Sequence, residues 1–184
     1  MQREPQVAGQ ALKRLFLALP CTPEQSRTLG RWRSTLGLKH GRPVPVRNFH
    51  LTLMFLGEIR AAQLPAICDA MAKVPRPDAP LRIVLDTLAL WHRSNVLVLE
   101  PAQTPAALRQ LVYALHQALL PFGIEDSLRE FRPHLTLVHD YPGDVPESSE
   151  APALRLNIEH FTLFESTRGQ YQPIAQWPLM GSNR

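Results

Sequence analysis

One stretch of this chain is written twice. His50-Leu51-Thr52-Leu53 returns as His134-Leu135-Thr136-Leu137. If each copy is a strand, side chains alternate between its two faces. His50 and Thr52 then share one face, and Leu51, Leu53 and Phe55 share the other. In the second copy His134, Thr136 and Val138 fall together, opposite Leu135 and Leu137. Each leucine face anchors its strand in a core. The other face is left with an imidazole beside a hydroxyl. Two such pairs facing one another would give a cleft two proton-transfer groups and two neutral donors.

The contexts of the two copies match as well. Thr22-Pro23 opens a helical pattern ahead of His50, and Thr104-Pro105 opens another at nearly the same distance ahead of His134. In the first, Thr22 fits an N-cap, Pro23 the first helical position and Gln25 the partner of a capping box. Leu29, Trp32 and Leu36 follow at helical spacing, and Gly37 closes the helix. The second helix of the same type carries Leu108, Leu111, Val112, Leu115 and Leu119 on one face. Between them Leu64, Ile67, Cys68 and Met71 predict a further helix, with Pro65 tolerated in its first turn. Leu12–Leu19, Leu81–Trp91, Asn95–Glu100, Leu154–Glu165 and Tyr171–Leu179 read as strands, with a hairpin at His92-Arg93-Ser94.

Helices alternating with strands and hairpins predict an α+β fold. The expected form is two pseudo-symmetric lobes of antiparallel sheet with helices packed outside. The central cleft is lined by the two His-X-Thr strands. Residues 11–184 read as one bilobal domain, preceded by a polar, mobile leader over residues 1–10. The length of 184 residues suits this, and 45% apolar with 20% charged residues describes a globular chain. The 18 prolines are about twice the usual share, but they are scattered and mark element ends. No apolar run reaches the ~18 residues of a membrane span. Cys21 and Cys68 fit reduced thiols in a cytoplasmic protein rather than a disulfide framework. A net charge of +4 suits an anionic ligand.

Histidine titrates nearest neutrality, so one imidazole can accept a proton while a second, charged, donates one. Such a pair suits in-line displacement at phosphorus, with each threonine hydroxyl donating to a non-bridging oxygen. No metal or other cofactor is then required. A metal site is disfavoured further because His134 and His139 should face opposite sides of a regular strand, with no carboxylate or cysteine cluster beside them. A lone His-X-Thr on a strand is commonplace; two copies in matched contexts point to function. His40, His92, His116 and His160 have no repeated context and read as surface or satisfied groups. Arg27, Arg31 and Arg33 read as the solvated face of their helix. Arg42, Arg47 and Arg132 lie near the motifs and could meet a phosphate chain. Trp91 and Phe16 read as core.

The chain resembles the 2H phosphoesterases, and among them the bacterial RNA 2′,3′-cyclic phosphodiesterases, also called 2′-5′ RNA ligases. The resemblance rests on Arg14-Leu15-Phe16-Leu17-Ala18-Leu19-Pro20, on Asn48 to Leu53 followed by Phe55-Leu56-Gly57-Glu58, and on Phe131 to Leu137. Phe161 to Ser166, Tyr171 and Trp177 extend it, so that it covers roughly Leu12 to Leu179. It implies hydrolysis of RNA 2′,3′-cyclic phosphate ends to 2′-phosphomonoesters, with His50 as general acid and His134 as general base. Thr52 and Thr136 would hold the phosphate, and Arg132, Arg47 and His139 are candidate RNA contacts. Relatives often carry arginine where this chain has His139, so a phosphate contact there would be weaker and pH-dependent. The expected partner is RNA with a cyclic phosphate end, tRNA fragments included, and the expected state is a monomer. Two alternatives stay open: ligation of tRNA halves, which reverses the same chemistry, and RNA-end binding without turnover.

Overall fold

The computed structural model describes residues 8–125, 130–148 and 152–179. Residues 1–7 of the expected leader lie outside the described residues, and Ala8–Gln10 form a short 3₁₀ turn. The strand β1 (Leu12–Pro20) comes next, and its apolar centre is buried. Helix α1 (Pro23–Thr35) begins on the expected capping box, with Thr22 and Gln25 exchanging side-chain and backbone bonds. It ends as Gly37 adopts a left-handed φ of +62°. A short strand β2 (Arg42–Pro43) leads to the first motif strand, β3 (His50–Arg60). Helix α2 (Leu64–Ala72) buries Ile67 and Met71, with Pro65 in its first turn.

The sequence predicts a single strand over Leu81–Trp91, but the chain changes sheets at Asp86. β4 (Leu81–Leu85) and β5 (Thr87–Trp91) are separate strands. Asp86 is poorly suited to a strand interior, and its carboxylate accepts from the Ala102 N–H and the Thr87 hydroxyl. The strand expected over Leu154–Glu165 divides in the same way at Glu159, into β8 (Leu154–Ile158) and β9 (His160–Thr167). Between these lie β6 (Val96–Glu100), α3 (Ala106–Leu119) and the second motif strand β7 (Leu135–His139). α3 buries all four predicted leucines, but Pro105 forms its N-cap without a side-chain bond, so Thr104 does not repeat the role of Thr22. β10 (Gln170–Pro178) closes the chain.

The main sheet runs β10-β9-β1-β3-β7-β6-β5, with β2 also on β7, and β4 pairs only with β8. Every pairing is antiparallel. β10, β9, β1 and β3 form the first lobe; β7, β6 and β5 form the second. Among the described residues the two lobes' sheets meet in one register pair, Leu51 with Leu135. Both leucines are fully buried, each worth about 1.5–3 kcal/mol of apolar burial. The two motifs are therefore pinned back to back at their second residue.

Candidate active site

Both motif strands carry an extra residue at the same place. β1 pairs Ala18 with Thr52 and then Leu17 with Met54, so Leu53 is bulged. β6 pairs Val98 with Thr136 and then Leu97 with Val138, so Leu137 is bulged. A bulge resets the alternation of faces. Two expectations change as a result. Phe55 does not join the leucine face: it is 63% exposed and lines the cleft. Val138 does not join the histidine face; it is fully buried, and His139 takes the cleft side instead. His134 and His139 thus face one cavity, not opposite sides of the strand.

That cavity, of about 410 Å³, is lined by His50, Thr52, His134 and Thr136 together. Each histidine is held from behind in the same way. His50 Nδ1–H donates to the Asn48 carbonyl at 2.6 Å, and His134 Nδ1–H donates to the Arg132 carbonyl at 2.9 Å. A carbonyl only accepts, so Nδ1 carries the proton and Nε2 is the working atom of each ring. His50 Nε2 lies 2.9 Å from the Thr52 hydroxyl. Both imidazoles are held below the ordinary histidine range. Burial is the main cause for each. His134 repels charge on His50. On His134 the nearby Glu100 carboxylate pulls upward and the Arg132 guanidinium pushes downward.

The walls around the two rings differ. Phe16 and Tyr171 stand 5.2 and 5.3 Å from the His50 ring. Trp91 lies 4.1 Å from the His134 ring, and its indole N–H donates to Glu100. Arg132 grips the same carboxylate through two bonds of 2.8 and 3.0 Å and lies over Trp91. The core assignments of Phe16 and Trp91 were therefore incomplete. Phe16 is buried but faces the cleft, and half-buried Trp91 is packed on His134. Arg14 and Tyr171, which carry no motif spacing, also line the cavity.

The family model of the LigT-like phosphoesterases matches this chain twice, over residues 19–98 and 99–175. The chain belongs to the LigT-like phosphoesterase family. Each match contains one of the two motifs, as a duplicated half-domain requires. The chain is 34% identical over 176 residues to the RNA 2′,3′-cyclic phosphodiesterase of Escherichia coli, covering 91% of this chain and 97% of that protein. It is 27% identical over 180 residues to a protein of the same name from Geobacillus stearothermophilus, covering 57% of its length. The crystal structure of E. coli LigT with 3′-AMP superposes with a TM-score of 0.82 at 31% identity, covering 93% of this chain and all of that one.

Other sequence candidates in this phosphoesterase fall outside the cleft. Arg47 sits on a 3₁₀ turn, Val46–Asn48, away from the lining. Arg132 is committed to Glu100 behind His134 and lines a separate, smaller recess. Arg42 pairs with Asp140 at the exposed end of β7. Arg33 is not solvated as its helix position suggests. Its guanidinium donates to the Val44 carbonyl at 2.6 Å and the Leu137 carbonyl at 2.9 Å, and lies over the Phe49 ring. It therefore ties the residue before His50 to the bulge after Thr136. Burial lowers its pKa from the usual arginine value. Cys21 is no nucleophile, since burial pushes its thiol up to about 12. No cluster of three metal-ligating side chains occurs among the described residues. No helix there is long and apolar enough to cross a membrane.

Proposed function

We propose that this phosphoesterase opens the 2′,3′-cyclic phosphate ends of RNA to 2′-phosphomonoesters by histidine acid–base catalysis without a metal. The observation that carries the reading is the pair of histidines, each with Nδ1 tied to a backbone carbonyl and a threonine beside it on the same cleft. The names of the two curated relatives support the substrate class. Water attacks phosphorus in line with the 3′-oxygen. His134 Nε2 takes the proton of the water as the P–O bond forms. His50, charged, gives its Nε2 proton to the departing 3′-oxygen. Thr52 and Thr136 donate to the non-bridging oxygens, whose charge grows in the transition state. The cycle ends with the proton on His134, and exchange with solvent resets both rings.

One chain supplies both histidines, which supports a monomeric catalyst consisting of one bilobal domain from residue 11 onward. RNA fragments in the cytoplasm, tRNA halves among them, are the physiological substrates in this reading. The deciding experiment is incubation with adenosine 2′,3′-cyclic phosphate in excess EDTA, with products resolved by chromatography. The expected product is 2′-AMP. Formation of 3′-AMP, or turnover only after a divalent ion is restored, overturns the assignment.

A further inference from the structure

His134 is held in the second lobe by contacts that close into a circuit. Its Nδ1–H donates to the Arg132 carbonyl at 2.9 Å. The Arg132 side chain donates in turn to Glu100 through Nε and Nη2, at 3.0 and 2.8 Å. Glu100 also accepts the Trp91 indole N–H at 2.9 Å. The Trp91 ring lies 4.1 Å from the His134 ring and completes the circuit. Glu100 is its node. Three N–H groups converge on this carboxylate, and its side chain is only 12% exposed. Among the described residues it has no bond to His134 itself, yet it braces the residue whose carbonyl meets the ring and the indole packed against that ring. His50 is secured differently, through both ring nitrogens, by the Asn48 carbonyl and the Thr52 hydroxyl. On the His134 ring the Arg132 carbonyl is the one hydrogen-bond partner among the described residues. Its orientation therefore rests on what stands behind it. A carboxylate near a cleft for an anion also works against binding unless its charge is offset. The Arg132 guanidinium offsets it.

We propose that Glu100 is a positioning residue for His134: through Arg132 and Trp91 it sets the angle of the ring and keeps Nε2 aimed into the cleft. The proposal rests on the reading that His134 moves a proton in the reaction. The bond types carry it. A two-bond guanidinium–carboxylate pair fixes direction as well as distance. A reacting group displaced by about an ångström can cost ~10²-fold in rate. Charge adds a second effect. Glu100 and Arg132 stand behind His134, His50 stands across from it, and Arg14, Tyr171 and His139 line the same cavity. Of the pair behind the ring, Glu100 favours protonated His134 and Arg132 opposes it.

The test reads the ring and the rate separately. Nitrogen NMR of isotope-labelled histidine reports the tautomer and the titration of His134 whether or not substrate turns over. Glu100→Gln keeps an acceptor for Trp91 but breaks the grip on Arg132. The His134 proton should then divide between Nδ1 and Nε2, and the titration should move to lower pH. Arg132→Met should loosen the tautomer as well, but it removes the opposing charge, so its titration should lie above that of Glu100→Gln. The His50 signals should stay in place in both. On adenosine 2′,3′-cyclic phosphate each variant should lose about ten- to hundredfold in kcat with KM little changed. Arg109→Gln breaks the Arg109–Glu130 pair in the neighbouring recess, outside the circuit, and should change neither ring nor rate. Trp91→Phe keeps a ring against His134 and removes only the donor to Glu100; it repeats the test if Glu100→Gln does not fold. An Nδ1 proton unmoved in Glu100→Gln, the reverse order of the two titrations, or a freed ring with unchanged kcat overturns the proposal. So does an equal loss in Arg109→Gln. If the unmodified protein opens no cyclic phosphate yet Glu100→Gln frees the Nδ1 proton, the catalytic reading fails and the positioning stands. If the proton stays, the positioning fails whatever the turnover.

Discussion

His50 and His134 occupy the same position in the same motif, and their surroundings have little else in common. The first ring is walled by Phe16 and Tyr171. The second rests on Trp91, with the Glu100–Arg132 pair behind it. The shared backbone decides where each imidazole points. Burial and the shared backbone bond set most of each ring's proton affinity, and the unshared side chains adjust it. Burial and the repulsion of His134 lower His50, against the pull of the Asn48 carbonyl on its charged form. His134 is likewise lowered by burial, with the Arg132 carbonyl and the Glu100 carboxylate favouring its charged form and the Arg132 guanidinium opposing it. Burial lowers both rings, so the acid and base roles rest on the proposed mechanism and are separated by the leaving-group experiment below.

The largest effect that can break this comparison is removal of either ring. His50→Ala and His134→Ala should each lose ~10²–10⁴ in kcat on a cyclic phosphate while remaining folded. A nitrophenyl phosphodiester, whose leaving group needs no proton, should recover most of the loss in His50→Ala and little in His134→Ala. Recovery in the opposite variant would exchange the two roles.

A smaller effect comes from Arg33, which touches both halves at once. Arg33→Met leaves the Val44 and Leu137 carbonyls one donor short. Stability in urea should fall by about 1–3 kcal/mol. Activity should fall too, since Leu137 is the bulge that sets the cleft face of β7. Unchanged stability would mean that helix α1 does not brace the motifs.

The smallest effects are in pH. Both histidines lie below their ordinary value of 6.5. The bell of kcat/KM, which reports the free enzyme, should therefore be centred on the acid side of 6.5. Bound phosphate anion favours protonated rings, so the bell of kcat should lie at higher pH. For stability the sign follows from proton counts. Below 6.5 the unfolded chain binds protons that the folded rings refuse. The stability present above 6.5 should be lost as pH falls through the depressed values, and His50→Gln should flatten that loss. A urea midpoint constant from pH 7 to 5 would contradict the depressed values.

The site was legible in the sequence where repetition made it so. The two histidines, two threonines and buried leucines stand where alternation places them, and the capping box of α1 was readable from Thr22 to Gln25. What escaped has one main cause. Alternation assumes a regular strand, and a bulge adds a residue without any marker in the letters. Leu53 and Leu137 read as ordinary strand leucines, so Phe55, Val138 and His139 were assigned to the wrong faces. The breaks at Asp86 and Glu159 left a faint sign, a lone acidic residue in an apolar run. Arg33 left none, because its acceptors are backbone carbonyls distant in sequence.

The Leu51–Leu135 pair, where the motif strands β3 and β7 meet in register among the described residues, has a mechanical meaning. A wall that turns about a fulcrum moves least beside it. The histidine and threonine of each motif flank that fulcrum by one residue, about 3.3 Å along the strand. Phe55 and His139 lie several residues further out. A rotation that widens the mouth by a few ångströms should shift the reacting groups by a fraction of that. Spin labels replacing Phe55 and His139 are expected to show a broader spread of distances than labels replacing Thr52 and Thr136; equal spreads would mean that the walls do not pivot. Walls that pivot there would hold a nearly constant gap at the phosphate while the mouth of the cleft varies.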